Sequence, residues 1–209
     1  MTKQRIYLDH AATTPVSASV YKAMEPYVSE RFGNPSSLHS FGQEASRALD
    51  LSREKIAHLI GAEFREIVFT GSATEANNLA LRGAVDAHKT NKSNWSNKSY
   101  KIIISAIEHE SVLETARDLE RDGMEVVYLP VDKNGVVDLK KLEDSLDENT
   151  ILVSVMYGNN VTGVIQPIAE IANMIRNFKI SSPVFHTDAV QAFQYLNCNV
   201  DDLGVNMMT

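Results

Sequence analysis

The amino-acid sequence predicts an α/β fold with a mainly parallel central sheet covered by helices on both faces. Short apolar segments alternate along the chain with longer segments whose apolar residues recur at helical spacing. Consecutive parallel strands need a crossover connection, usually a helix, so this alternation is typical of a parallel sheet. The chain has 209 residues, 44% of them hydrophobic, which is enough for one substantial core.

The chain is predicted to divide into an arm of residues 1–15 and a large domain of residues 16–209. Ile6–Leu8 has the composition of a short strand, and the small polar residues that follow, up to Pro15, are typical of a loop. Ser17 can cap the first helix of the large domain. Gly61 stands where the second helix needs a C-cap.

The remaining elements follow from apolar periodicity and from the glycines, prolines and asparagines between segments. The predicted helices are Ser17–Phe32, Ser40–Ile60, Thr74–His88, Val112–Arg121, Leu139–Leu146 and Ile168–Phe178. The predicted strands are Ile67–Thr70, Ile102–Ser105, Val126–Leu129, Ile151–Met156, Val184–Thr187 and Val205–Thr209.

Composition narrows the classes of function. The chain has 20 Lys+Arg against 27 Asp+Glu and no basic stripe, so nucleic acid is not expected as the main ligand. No apolar run is long enough to span a bilayer, and the first residues lack a secretion signal, so a cytoplasmic protein is expected. The single cysteine, Cys198, excludes an intrachain disulfide framework.

Four predicted strands lead into polar loops. Ligands of parallel α/β sheets bind beyond the carboxyl ends of the strands, so these loops are expected to share one edge of the sheet. The loop residues with useful chemistry are Gly71-Ser72-Ala73-Thr74, Glu108-His109-Glu110, Gly158-Asn159-Asn160, and Asp188 with Gln191.

Each loop also has a simpler interpretation. Ser72 or Thr74 can be an ordinary helix cap, and His109 can be a surface histidine. Asn160 can serve a turn with positive φ, and Asp188 can cap the helix that follows it. Taken singly, these structural interpretations are favoured.

Together the four loops supply an anion cradle, a ring that can stack, an amide donor and a carboxylate at the end of a buried strand. A buried carboxylate needs a cation or hydrogen bonds to replace its lost hydration. This combination suits a phosphorylated aromatic cofactor whose ring nitrogen must stay protonated. Pyridoxal 5′-phosphate is such a molecule, with Asp188 as the partner of its ring nitrogen.

The same residues resemble a known family, the NifS/IscS-type cysteine desulfurases, which have the class V aminotransferase fold. The resemblance runs through the whole chain, because several spaced motifs occur in the family's order. These motifs are Tyr7–Pro15, Gly33–His39, Phe69–Asn78, Glu108-His109 and His186–Gln191. The resemblance implies a three-layer large domain of the PLP-dependent transferase type, with residues 1–15 belonging to a small domain.

The resemblance also implies roles for individual residues. Ala73 and Thr74 would hold the cofactor phosphate, and His109 would stack on the pyridine ring and help to move protons. Asp188 would pair with the ring nitrogen, while Asn160 and Gln191 would address the phenolic oxygen. The implied reaction takes sulfur from L-cysteine to give alanine and an enzyme persulfide. A homodimer and a sulfur-acceptor protein, for example in iron–sulfur cluster assembly, are implied as partners.

Two departures from the family pattern stand out. The family usually has Asn-Asn-Glu-x-Gly where this chain has Asn159-Asn160-Val161-Thr162-Gly163, so the usual carboxylate is absent. The family's Schiff-base lysine would follow the predicted strand Val205–Thr209, and its nucleophilic cysteine lies further on. The sheet is therefore expected to be incomplete at the C-terminus, and the 209-residue chain is expected to be inactive alone. Cys198 is interpreted as structural.

Two other classes of function stay open at this point. A metal-dependent hydrolase could use His186 and Asp188, because residues two apart in a strand share a face. A non-catalytic scaffold fragment, whose uncovered apolar surface captures a partner, is the other alternative.

Overall fold

The computed structural model describes residues 5–91, 100–178 and 182–209. The chain divides into two compact units, Met1–Ile67 and Val68–Thr209. Every element of the sheet and every strand-end loop lies in the second unit. The sequence-based division into an arm of residues 1–15 and a domain of residues 16–209 stays a prediction.

The first unit contains two helices, α1 (Ala18–Ser29) and α2 (Ser40–Ile60). The Ser17 hydroxyl accepts a hydrogen bond from the Val20 amide at 3.3 Å and caps α1 as expected. Gly61 ends α2 with φ 71°, the left-handed conformation that glycine adopts most readily. The strand predicted at Ile6–Leu8 is wrong, because these residues pair with no described strand and are exposed.

The second unit is a five-stranded parallel sheet with helical crossovers. Its strands are β1 (Lys101–Ser105), β2 (Glu125–Leu129), β3 (Thr150–Ser154), β4 (Val184–Thr187) and β5 (Met207–Met208). Its helices are α3 (Ala73–Asn91), α4 (Glu110–Arg121), α5 (Leu139–Ser145), α6 (Ile168–Asn177) and α7 (Val200–Leu203). The strand order is β2-β1-β3-β4-β5, and every pairing is parallel.

Side chains that alternate along the strands form two buried clusters, one on each face of the sheet. Ile102, Ile104 and Leu152 pack with residues of α3 and α4 on one face. Ile103, Val153 and Phe185 pack with residues of α5, α6 and α7 on the other. Both faces are therefore covered, which explains why residues 102–104 of β1 and 151–153 of β3 form uninterrupted apolar runs, and this confirms the predicted fold class.

The strand predicted at Ile67–Thr70 is wrong. The segment pairs with no described strand, and the Val68 side chain is 65% exposed. Its β-branched and aromatic residues have high strand propensity, but a strand also needs a hydrogen-bonding neighbour, which local sequence does not reveal. The last strand is also shorter than expected, because only Met207–Met208 of the predicted Val205–Thr209 pairs with β4.

Among the described residues, no helix is both long and apolar enough to cross a membrane.

Two glycines give a matched test of the helices. A Cβ at Gly42, in α2, would lie 2.2 Å from the carbonyl oxygen of Ser37, whereas a Cβ at Gly83, in α3, would meet nothing within 4 Å. Gly42→Ala should lower the free energy of unfolding by about 1–3 kcal/mol through overpacking. Gly83→Ala should raise it by about 0.5–1 kcal/mol, because alanine restricts the unfolded chain. Chemical denaturation measures both, and equal stability of the two variants would contradict the packing at Gly42.

Candidate active site

The candidate site lies at the carboxyl ends of the strands, where chain connections diverge. From β1 the chain crosses to β2 on one side, then returns to β3 on the other side of β1. The loops that leave β1 and β3 therefore run in opposite directions and open a crevice between the two strands. The loop after β1 carries Glu108 and His109, and the loop after β3 carries Asn159 and Asn160.

Glu108 joins the two loops across this crevice. Its Oε1 atom accepts hydrogen bonds from the Ser105 hydroxyl and from the Met156 amide, both at 2.6 Å. Its Oε2 atom is buried and has no hydrogen-bond partner among the described residues. Burial, with a smaller contribution from the nearby Asp188 carboxylate, raises the pKa of Glu108 to about 7. The side chain therefore takes up a proton close to neutral pH.

Asn159 makes a second connection between the same loops. Its Nδ2 donates to the Ile107 carbonyl at 2.9 Å, and its Oδ1 accepts from the amides of Val161 and Thr162. No described residue other than glycine has positive φ, so the alternative interpretation of Asn160 as a positive-φ turn residue is wrong. Asn160 is half-buried beside this anchor. Asn159 therefore has a structural role in this loop.

Asp188 follows β4 directly and is buried, with 4% of its surface exposed. Its Oδ1 atom accepts from the Val190 amide at 3.0 Å, and its Oδ2 atom accepts from Asn77 Nδ2 at 2.8 Å. An ionised carboxylate has about four acceptor positions, so these two hydrogen bonds leave capacity for a further N–H donor. The sequence-based expectation of a buried carboxylate at this strand end is confirmed.

Asn77, which sequence reasoning gave no role, connects Asp188 to His109. It lies on α3 with no exposed surface, and its Nδ2 also donates to the Ser111 hydroxyl at 2.9 Å. That hydroxyl is 2.8 Å from Nδ1 of His109. Asn77 shares the buried stripe of α3 with Leu81 and Val85. A polar residue on an apolar helix stripe is the signal that could have identified it.

His186 is fully buried in β4, with both ring nitrogens within hydrogen-bonding distance of hydroxyls. Nδ1 lies 2.9 Å from Ser154 Oγ, and Nε2 lies 3.3 Å from Thr209 Oγ1. The Thr209 hydroxyl in turn donates to Oδ1 of Asn77. Burial lowers the pKa of His186 to about 4, so the ring is neutral at physiological pH.

These contacts bear on the metal-hydrolase alternative. Both nitrogens of His186 are occupied by hydroxyls, and the described residues contain no group of three or more His, Cys, Asp or Glu side chains arranged to hold a metal ion. His186 is accordingly a packed sheet histidine that supports Thr209 and, through it, Asn77.

The loop before α3 has its own internal hydrogen bonds. The Glu75 carboxylate accepts from the Gly71 amide at 2.7 Å, and the Glu75 amide donates to the Ser72 hydroxyl at 3.1 Å. Ala73 and Thr74 are exposed and open the helix, where amides have no intrahelical acceptor. Their N–H groups and the helix dipole can therefore receive an anion.

The donor set fits pyridoxal 5′-phosphate. Asn77 lies three positions after Thr74, a rise of about 4.5 Å along α3, so the amides that can receive an anion and the Asp188 contact share one helix. His109 is connected to the same carboxylate through Ser111, and Gln191 is half-buried three residues after Asp188. When bound, the cofactor supplies an electron sink that depends on a protonated ring nitrogen.

Cys198 is buried in a small apolar cluster with Ala189 and Ala192. Burial raises the pKa of its thiol, which lowers the fraction of reactive thiolate. These properties agree with the structural role assigned to Cys198 from the sequence.

Glu108 gives a pH-dependent prediction. Its folded-state pKa of about 7 lies above the ordinary 4.5, so its destabilising effect appears as pH rises from about 4.5 through 7. Glu108→Gln removes this ionisation, and its stability relative to the unmodified chain should rise by about 3 kcal/mol over that range. His186 lowers the stability of the folded protein in the opposite direction, as pH falls from 6.5 towards 4. Its contribution cancels in the comparison, because both proteins contain His186.

Denaturant unfolding from pH 4.5 to pH 8 measures this difference. Glu125→Gln, at an exposed position at the start of β2, is the control and should show no comparable rise. A pH-independent difference for Glu108→Gln would show that Glu108 does not titrate in the folded protein near neutrality.

Known proteins resemble the chain along its whole length. It is 46% identical over 207 residues to "Cysteine desulfurase IscS" of Dictyoglomus turgidum, covering 99% of this chain and 50% of that protein. It is 46% identical over 206 residues to "Putative cysteine desulfurase IscS 1" of Bacillus subtilis, covering 99% of this chain and 52% of that protein. The chain thus spans about half the length of the curated relatives it matches.

Solved structures agree. A protein described as "NifS-like protein" superposes with a TM-score of 0.91 at 36% identity, covering 99% of this chain and 55% of that one. A second, described as "SspA in complex with cysteine", superposes with a TM-score of 0.87 at 38% identity, covering 97% of this chain and 55% of that one. The NifS/IscS resemblance seen in the sequence is confirmed.

The model of a protein family described as "Aminotransferase class-V" matches residues 6–209. Pyridoxal 5′-phosphate is the cofactor of that family, which confirms the cofactor predicted from the sequence. On these grounds the chain belongs to the class-V aminotransferase family.

Proposed function

We propose that this chain is the cofactor-binding part of a pyridoxal 5′-phosphate-dependent cysteine desulfurase. The family match, the cysteine desulfurase names of its relatives and the relative solved with cysteine support this assignment. The overall reaction converts L-cysteine and an enzyme thiol into alanine and an enzyme persulfide. The C–S bond of the substrate breaks and an S–S bond forms. Of the two thiol hydrogens, one remains on the persulfide and the other is balanced by the proton added to the alanine methyl group.

The observation that carries the proposal is the buried Asp188 carboxylate at the end of β4. It is held on two sides by Asn77 and the Val190 amide, so its position is fixed before a ligand arrives. A buried carboxylate with acceptor capacity to spare favours a cationic N–H donor, and a protonated pyridine nitrogen is such a donor. The role of Asp188 in this proposal is to keep that proton on the ring.

The other site residues take complementary roles. The amides of Ala73 and Thr74 receive the phosphate at the start of α3. His109 stacks on the pyridine ring, and the side chains of Asn160 and Gln191 contact the phenolic oxygen of the cofactor. Glu108 and Asn159 hold the loops of β1 and β3 at a fixed spacing, which positions His109 and Asn160. The buried Cys198 is not the sulfur-accepting thiol in this scheme.

Assembly and location are part of the same proposal. We infer that the protein is a cytoplasmic homodimer that passes persulfide sulfur to an acceptor protein, with iron–sulfur cluster assembly as the process indicated by the IscS names of its relatives. A single cysteine in the chain agrees with a reducing compartment. Size-exclusion chromatography with light scattering tests the dimer.

The test uses protein expressed from the complete reading frame and supplied with pyridoxal 5′-phosphate and L-cysteine. Alanine and, in the presence of a reductant, sulfide should form in equal amounts. Asp188→Asn should lower kcat by about 10²-fold or more, because a neutral amide no longer stabilises the charge on the ring nitrogen. Alanine and sulfide are quantified separately, by chromatography and by a colorimetric assay.

Asp138→Asn is the matched control. Asp138 is the N-cap of α5, where its side chain accepts from the Lys141 amide at 3.0 Å, and asparagine serves equally well at an N-cap. Its turnover should equal that of the unmodified protein. Absence of cofactor binding and of alanine would overturn the desulfurase assignment and favour the scaffold alternative.

A further inference from the structure

The imidazole of His109 is the N-cap of helix α4. The Ser111 backbone amide donates a hydrogen bond to Nδ1 of His109 at 3.1 Å. A backbone N–H can only donate, so Nδ1 must carry a lone pair and not a hydrogen. The neutral ring then carries its single hydrogen on Nε2. Helix α4 thus restricts the chemistry of His109 through a capping interaction.

The Ser111 side chain enforces the same arrangement. Its Oγ atom lies 2.8 Å from Nδ1 of His109 and accepts a hydrogen bond from Asn77 Nδ2 at 2.9 Å. A serine hydroxyl has one hydrogen. With Asn77 supplying a donor to the oxygen, that hydrogen is directed at the lone pair of His109. Ser111 is buried, with 8% of its surface exposed, whereas His109 is exposed.

Asp188 fixes the direction of the Asn77 amide. A carboxylate only accepts hydrogen bonds, so the NH2 group of Asn77 must face Asp188 Oδ2, and its second hydrogen reaches Ser111. The Asn77 oxygen accepts the Thr209 hydroxyl. Rotating the amide by 180° would place its oxygen against the carboxylate and leave the Thr209 hydroxyl facing a donor. Every hydrogen bond from Asp188 to His109 therefore has one direction.

We propose that Asn77 and Ser111 are positioning residues that hold His109 as the neutral tautomer with hydrogen on Nε2, so that the ring presents a donor there. To act as a base at Nε2, the ring would have to move its hydrogen to Nδ1. An N–H at Nδ1 would then face the Ser111 N–H, and the α4 cap would be lost. The consequence for catalysis rests on the proposed desulfurase function, whereas the tautomer itself does not.

The tautomer is measured by 15N NMR of the complete protein labelled at the histidine ring nitrogens. This chain contains six histidines, and His109→Gln identifies the signals of His109 by their loss. Nδ1 should show the chemical shift of an unprotonated nitrogen and Nε2 that of a protonated one, with and without pyridoxal 5′-phosphate. The reverse pattern, or averaged shifts for both nitrogens, overturns the proposal.

Variants test whether Asn77 and Ser111 cause the effect. Ser111→Ala and Asn77→Ala keep the Ser111 backbone amide at Nδ1, so each should move the two His109 shifts only part of the way towards an average of the tautomers. Ser111→Thr, which restores a hydroxyl, should reverse the change. Thr115→Val is the matched control, because the buried Thr115 hydroxyl lies on the same helix and donates to the Ser111 carbonyl, not to the imidazole. Equal shift changes in Thr115→Val and Ser111→Ala would overturn the assigned roles.

Turnover provides a separate readout. Glutamine can place an amide N–H near the position of histidine Nε2 but cannot act as a base at neutral pH. Both variants lose the imidazole ring, but His109→Gln keeps an N–H donor, so it should keep about tenfold more of kcat than His109→Ala does. Equal losses in the two variants overturn the donor role. If the unmodified protein makes no alanine, the desulfurase assignment fails, and the NMR experiment still decides the tautomer.

Discussion

The hydrogen bond between Asn77 and Asp188 is the contact on which the site depends. It joins helix α3, which opens with the exposed amides of Ala73 and Thr74, to the end of β4 inside the protein. A buried charge is costly unless hydrogen-bond donors face it, so the Asp188 carboxylate requires its neighbours to point donors towards it. The amide direction of Asn77, the hydroxyl of Ser111 and the ring of His109 all follow from that constraint.

The site contains two buried carboxyl groups that satisfy the same physical requirement in different ways. Asp188 accepts one hydrogen bond on each carboxylate oxygen, from Val190 and from Asn77. Glu108 has both of its donors on one oxygen and none among the described residues on the other, so burial favours its protonated form. The hydrogen bond that it accepts from the Met156 amide spans the crevice between β1 and β3. In the proposed function Asp188 contacts the cofactor, whereas Glu108 holds the two loops at a fixed spacing.

Sequence patterns predict the features that are determined by neighbouring residues along the chain, such as the limits of strands and the ends of helices. The sequence predicts the strand Val184–Thr187 correctly, because its strand-forming residues end at the charged Asp188, and Gly61 correctly predicts the end of α2. The strand predicted at Ile67–Thr70 is wrong, because a strand requires a hydrogen-bonding neighbour that local sequence does not reveal. The role of Asn77 is not predictable from the sequence for a similar reason. Packing between segments that are distant in sequence decides which face of α3 contacts the sheet and which residues it contacts there.

The central claim is that Asp188 holds a protonated pyridine nitrogen. It is tested most directly by 15N NMR of the complete protein loaded with pyridoxal 5′-phosphate labelled at that nitrogen. A shift typical of a pyridinium, unchanged as pH is raised well above the range in which the free cofactor loses its ring proton, is the predicted result. A shift typical of an unprotonated pyridine at neutral pH would contradict the account.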